Sequence, residues 1–174
     1  NRICPLQTLA RDYTIKLTGK TSYKDFSAEQ VFLGWFFYYD EWRNEPMIKI
    51  KGKDAQQTLG IEGKYASFND FTSPQGYKLT GTQGKNCSAA DEKYNLIMMN
   101  LTGSLLKIFP HNNALINWFA LNDNLPADMP QAEWLFIRKS MNLVAEYIAH
   151  NQYDEAIDLI RKIRKYQDTQ LGTL

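Results

Sequence analysis

Asp128 to Gln167 reads DMPQAEWLFIRKSMNLVAEYIAHNQYDEAIDLIRKIRKYQ. Asp128, Pro130 and Gln131 supply a helix start, and Trp134, Ile137, Met141, Val144 and Ile148 then recur at offsets of 3, 7, 10 and 14, one face of a helix. About eighteen residues of helix follow from that run. Asn151 breaks and recaps the chain, and Tyr153, Ala156, Ile160 and Ile163 form a second apolar stripe. The basic run Arg161 to Lys165 suits a helix C-terminus, where the peptide dipole favours cations. Two stripes joined by so short a connection predict an antiparallel helical hairpin over residues 128–167.

Working back toward the start, Leu6, Leu9, Ala10, Tyr13 and Leu17 fall at helical spacing, with Pro5 ahead of them and Gly19 behind. Ser27 and Gln30 make a capping box, with Phe26 placed to staple onto Val31, so a second helix opens at Ala28 and runs into the aromatic cluster Trp35 to Trp42. Past Pro46 the period changes: Met47, Ile48 and Ile50 alternate with Lys49 and Lys51 as in a short strand, and a brief helix from Asp54 to Leu59 stops at Gly60. Residues 63–88, with four glycines and Pro74 among polar neighbours, read as a long surface loop holding one hairpin. Ser88 and Asp91 can cap a third long helix that reaches Leu106. Lys107 to Phe109 and Leu115 to Phe119 read as strands on either side of a turn at Pro110 to Asn113.

The expected fold is therefore mainly helical with a small β element, an α+β protein of four to five helices and a short two- or three-stranded sheet. Its 174 residues suit a single globular domain, residues 1–174, large enough to bury roughly 70% of its unfolded surface. Composition excludes several classes. Hydrophobic residues at 44% rule out a disordered chain. Twenty basic against nineteen acidic side chains give no excess for gripping a phosphate backbone, so nucleic acid is not an expected partner. The longest apolar run, Val31 to Tyr39, is about half of the roughly 20 residues a membrane crossing needs. Asn1 in first place, with no leader ahead of it, reads as a processed product or a piece of a longer protein.

Reactive residues are few. Two histidines and two cysteines do not make a Cys/His metal cage, and no metal site is expected. Cys4 and Cys87 lack the Cys-x-x-Cys spacing of a redox centre, although one disulfide between them is possible in an oxidising compartment. Thr18-Gly19-Lys20-Thr21 copies the end of a phosphate-binding loop, but the first glycine is missing, since Thr14 occupies its place; a helix C-cap explains the run. His150 sits where a helix ends, a capping position. His111 lies in Phe109-Pro110-His111-Asn112, near Trp118, and an imidazole so placed is a candidate haem ligand, with an ordinary polar turn residue as the alternative. Tyr153-Asp154-Glu155-Ala156 resembles one tetratricopeptide unit, a protein-interaction element, but no second copy makes an array.

Taken along the chain, Arg2-Ile3-Cys4-Pro5-Leu6-Gln7-Thr8-Leu9-Ala10-Arg11, Leu17-Thr18-Gly19-Lys20, Ala28-Glu29-Gln30-Val31 with Gly34-Trp35, and Pro46-Met47-Ile48-Lys49-Ile50 form one set of segments. Leu59-Gly60, Lys64-Tyr65-Ala66-Ser67-Phe68, Leu105-Leu106-Lys107-Ile108-Phe109-Pro110, Phe136-Ile137-Arg138-Lys139-Ser140-Met141 and Ile163-Arg164-Lys165-Tyr166 form another. Together they resemble the extracytoplasmic domain of cytochrome c biogenesis proteins of the fused ResB/CcsA type, as in Bacteroides-like bacteria. The resemblance implies a periplasmic docking or scaffold domain, part of an assembly that carries haem across a membrane and attaches it to apocytochrome c. Its implied partners are apocytochrome c and the membrane portion of its own parent.

The resemblance also implies that the chemistry lies elsewhere in the parent. This chain has no Trp-Trp-Asp run and no apolar span, so no catalytic or haem-ligating residue carries over. No cofactor is expected in this domain, haem belonging to the parent, and no catalysis of its own is expected. The rival reading is a haem-binding or haem-relay module in which His111, with Trp118 or another aromatic, forms part of a pocket. A third, an unrelated enzyme, requires the fold to bring a titratable pair together in a cleft.

Overall fold

The computed structural model describes residues 5–172, so Cys4, its possible disulfide and the segment Arg2-Ile3-Cys4 lie outside the described residues. The fold is α+β. Among the described residues there are seven α-helices and four separate two-stranded antiparallel sheets. The chain divides between Met98 and Met99 into two compact units.

The first unit opens with α1 (Leu6–Thr18), which buries Ala10, Tyr13 and Leu17 and ends at Gly19 in the left-handed conformation. The phosphate-loop look-alike is thus a C-cap: the Gly19 N–H donates to the Ile15 carbonyl and the Lys20 N–H to the Thr18 hydroxyl, so these amides are already spent. A hairpin of β1 (Ser22–Tyr23) and β2 (Phe26–Ser27) leads into α2 (Ala28–Phe37), which starts with the expected Ser27–Gln30 capping box. The long second helix does not run on to Trp42. It breaks at Tyr38, and a single turn, α3 (Tyr39–Trp42), follows. A continuous helix would carry Trp42 about 12 Å along the axis from Gly34. The break instead folds its indole back over Gly34, where an added Cβ would lie 2.4 Å from the Trp42 Nε1.

The strand after Pro46 is β3 (Ile48–Lys49), followed by α4 (Lys53–Leu59) and its left-handed Gly60 cap. Residues 63–88 are not merely a surface loop. β4 (Tyr65–Ala66) pairs with β3, a 3-10 turn spans Phe68–Phe71, and β5 (Thr72–Ser73) with β6 (Gly76–Tyr77) makes the expected hairpin. Ala66, Phe68, Phe71 and Leu79 are all core residues. Phe68 is edge-on to Trp35 at 5.8 Å and stacked on Tyr94 at 4.6 Å, so aromatic burial holds a segment whose glycines suggested a surface loop.

The third long helix, α5 (Lys85–Leu101), begins before Ser88 and ends before Leu106. Ser88 is a second-turn residue whose N–H donates to Gly84, not a cap. At the other end Gly103 takes φ +78°, and the Ser104 and Gly103 N–H groups close onto the Met99 and Asn100 carbonyls, a left-handed glycine stop.

In the second unit the hairpin is β7 (Phe109–Asn113) against β8 (Leu115–Phe119), in the register Phe109↔Phe119, His111↔Asn117 and Asn113↔Leu115. Pro110 to Asn113, expected as the turn, are strand, and the reversal falls on Ala114 at φ +62°. α6 (Gln131–Ala149) and α7 (Tyr153–Leu171) form the predicted hairpin around Asn151, with Ile137, Met141 and Val144 buried on one side and Ala156 and Ile163 on the other. Trp134, Tyr153 and Ile160, assigned to those stripes, are exposed instead. α7 serves two neighbours, α6 and β7, so its inward line runs through residues seven apart and on to Tyr166, leaving Tyr153, Ile157 and Ile160 on an outer flank.

Candidate functional site

The polar cluster with the most chemistry lies in the second unit, where α7 lies along the edge of β7. An edge strand presents unpaired amides and carbonyls at alternate residues. Here α7 answers them with side chains: Gln167 Nε2 donates to the Ile108 carbonyl (2.7 Å), Tyr166 Oη to the Pro110 carbonyl (2.6 Å), and the Asn112 N–H to Gln170 Oε1 (2.9 Å). Pro110 has no N–H to leave unmet. A helix face thereby does the work of the third strand that the sequence left open, and the sheet remains two-stranded.

His111 and Glu133 sit within this seam, their side chains only 12% and 14% exposed, with Nδ1 to Oε1 at 2.8 Å. The same Glu133 oxygen lies 2.6 Å from Tyr166 Oη, whose one proton is shared between it and the Pro110 carbonyl, and 3.4 Å from Gln170 Nε2. Glu133 occupies the first turn of α6, where the helix dipole favours a carboxylate. Against a carboxylate acceptor His111 donates from Nδ1. Burial, reinforced by the bond to Glu133, holds the Tyr166 phenol well above its ordinary range. Beneath the seam Phe109, Phe136 and Tyr166 pack ring against ring at 5.3–6.3 Å. Asn113 Nδ2 adds a bond to Asp128 at 3.1 Å, ahead of α6.

His111 is therefore a strand residue held by a carboxylate, not a turn residue. Trp118, half-buried, stands across from Pro110, whereas His111 stands across from Asn117. Directly paired residues share a face and successive residues alternate, so His111 and Trp118 project from opposite faces of the hairpin. The residues present do not fit the haem pocket that pairing would need. His150 caps α6, its Nδ1 2.8 Å from the Glu146 carbonyl, and Cys87 is buried in the first unit. Among the described residues no three His, Cys, Asp or Glu side chains converge on a point that could hold a metal, and no helix is long and apolar enough to cross a membrane.

Sequence reasoning found His111 but missed Glu133, Tyr166, Gln167 and Gln170. The only local signal was the Tyr-Gln…Gln spacing at the end of α7, one helical face of residues able to meet a strand edge.

No protein-family model matches the chain. It is similar to Protein NrfI of Wolinella succinogenes, at 29% identity over 197 aligned residues that take in 95% of this chain and 20% of that protein. The chain thus spans about one fifth of the length of the curated relative it matches.

Proposed function

We propose that this chain is a docking or scaffold domain of a protein that matures cytochromes c, working at the periplasmic face of the inner membrane beside the parent's membrane portion. The observation that carries the reading is the likeness to NrfI, which runs through 95% of this chain while occupying only a fifth of that longer protein. That likeness supports a role in cytochrome c maturation. Its partners in this reading are the haem-attachment segment of apocytochrome c and the parent's membrane portion, with haem handled by the latter.

The surface supports docking in a second way. Leu115, at the tip of the β7–β8 hairpin, is 76% exposed beside Ile116, and Tyr153, Ile157 and Ile160 line the outer flank of α7. Burying such side chains against a partner is worth about 1.5–3 kcal/mol each when complete. The test is titration of the purified domain with an apocytochrome peptide carrying Cys-x-x-Cys-His and, separately, with the detergent-solubilised membrane portion. Saturable binding weakened by Leu115→Ser or Ile157→Ser supports the reading. Absence of binding to both refutes it.

A further inference from the structure

In the first unit, lysines from three elements meet where the end of α1, β3 and α5 pack together. Lys16 comes from the last turn of α1, Lys49 from β3, Lys51 from just beyond it, and Lys93 from the middle of α5. Lys93 is half-buried and donates from Nζ to the Lys49 carbonyl, which ties α5 to β3. The Lys49 side chain runs alongside Gly19, where an added Cβ would come within 3.3 Å of its Cδ and 3.6 Å of its Nζ. Only Lys16 has an acidic partner, Glu92 at 2.9 Å. Among the described residues no carboxylate lies within ion-pair distance of Lys49, Lys51 or Lys93.

Burial, and then Lys51, Lys16 and Lys49 in that order, hold the Lys93 ammonium below the ordinary lysine range. A part-buried cation with like charges around it and no counter-ion is costly unless something neutralises it. The chain as a whole carries a formal charge of only +1, so this concentration is local.

We propose that Lys93, Lys49, Lys51 and Lys16 form a binding site for a multivalent phosphate-type anion, either a soluble ligand or the headgroups of an anionic lipid surface. Three ammonium groups without an acidic partner can close on one multiply charged oxyanion, and Lys93, held against the Lys49 backbone, is pre-positioned for it. The site stands in the unit that does not contain the His111 seam, and it is independent of the docking reading.

The experiment uses the whole chain. Inorganic pyrophosphate is titrated calorimetrically at low salt, and co-sedimentation is measured with phosphatidylcholine vesicles with and without phosphatidylglycerol. Wild type, Lys93→Met, Lys51→Gln and, as a control on α6, Lys139→Gln are compared, each checked for folding by circular dichroism. The expected result is saturable binding that falls about tenfold in Lys93→Met and severalfold in Lys51→Gln, is unchanged in Lys139→Gln and weakens with added salt. Pyrophosphate binding alone assigns a soluble ligand, and binding only to the phosphatidylglycerol vesicles assigns a lipid surface. Because Lys51 is exposed, its variant decides the matter if Lys93→Met fails to fold. No saturable binding of either probe, or equal affinity in wild type and Lys51→Gln, overturns the proposal.

Discussion

Replacing Glu133 by glutamine keeps the side-chain shape and removes the charge on which the hairpin seam converges. In the native seam one oxygen serves His111 at 2.8 Å and Tyr166 at 2.6 Å, with Gln170 more distant at 3.4 Å. Hydrogen bonds to a charged group contribute about 1.5–3 kcal/mol and neutral ones about 0.5–1.5. Turning the two short bonds from charged to neutral therefore costs about 2–3 kcal/mol in all, and loss of the favourable charge in the first turn of α6 adds about 0.3–1. Slight exposure of the pair reduces this, so the expected loss is about 2–3 kcal/mol, or roughly 4–12 °C in Tm for a domain of this size.

Urea unfolding followed by tryptophan fluorescence measures that loss. Hydrogen exchange at the Asn112 amide, which donates to Gln170, reports whether β7 comes away from α7. His111→Ala and Glu133→Gln share one interaction, so their effects should be non-additive by more than about 0.5 kcal/mol. A Glu133→Gln protein within about 0.5 kcal/mol of wild type, or a pair of variants whose losses simply add, would refute the claim that the carboxylate holds the hairpin.

Gly34→Ala should destabilise the first unit although alanine is the better helix former. The gain of about 1 kcal/mol in helix propensity is outweighed by driving a methyl to within 2.8 Å of three Trp42 indole atoms, an overpacking cost of about 1–3 kcal/mol or more. Trp42→Leu should relieve it, and a higher Tm for Gly34→Ala in the wild-type background would contradict the close packing. Tyr166 binds its proton more tightly folded than unfolded, so its contribution is intact below pH 10.0 and is lost as the pH rises from there through the folded value. Tyr166→Phe should therefore flatten the fall of stability measured above pH 10.0, and an unchanged slope would count against a half-buried phenol bonded to Glu133. Absorption titration with haem should show no Soret shift that His111→Ala abolishes, because Trp118 lies on the other face of the hairpin; a shift lost in that variant would restore the haem-module reading.

Periodicity and punctuation determined much of this protein without any tertiary information. Pro5 and Gly19 bound α1, Ser27 and Gln30 open α2, Gly60 ends α4 and Asn151 divides α6 from α7, because each of these acts through its own backbone angles or through residues three or four positions away. Such local effects survive whatever packs against them. Only the tertiary structure decided where Tyr38 breaks a helix, because that break brings Trp42 back to Gly34, and why glycine-rich residues 63–88 carry core aromatics. The same holds for the His111 seam. Its partners lie 22 and more residues away, and a strand that must satisfy every other backbone group accepts donors from whichever element lies beside it. Proline and asparagine in β7 looked like a turn when read alone; with α7 supplying the missing partners, extended backbone became the lower-energy choice.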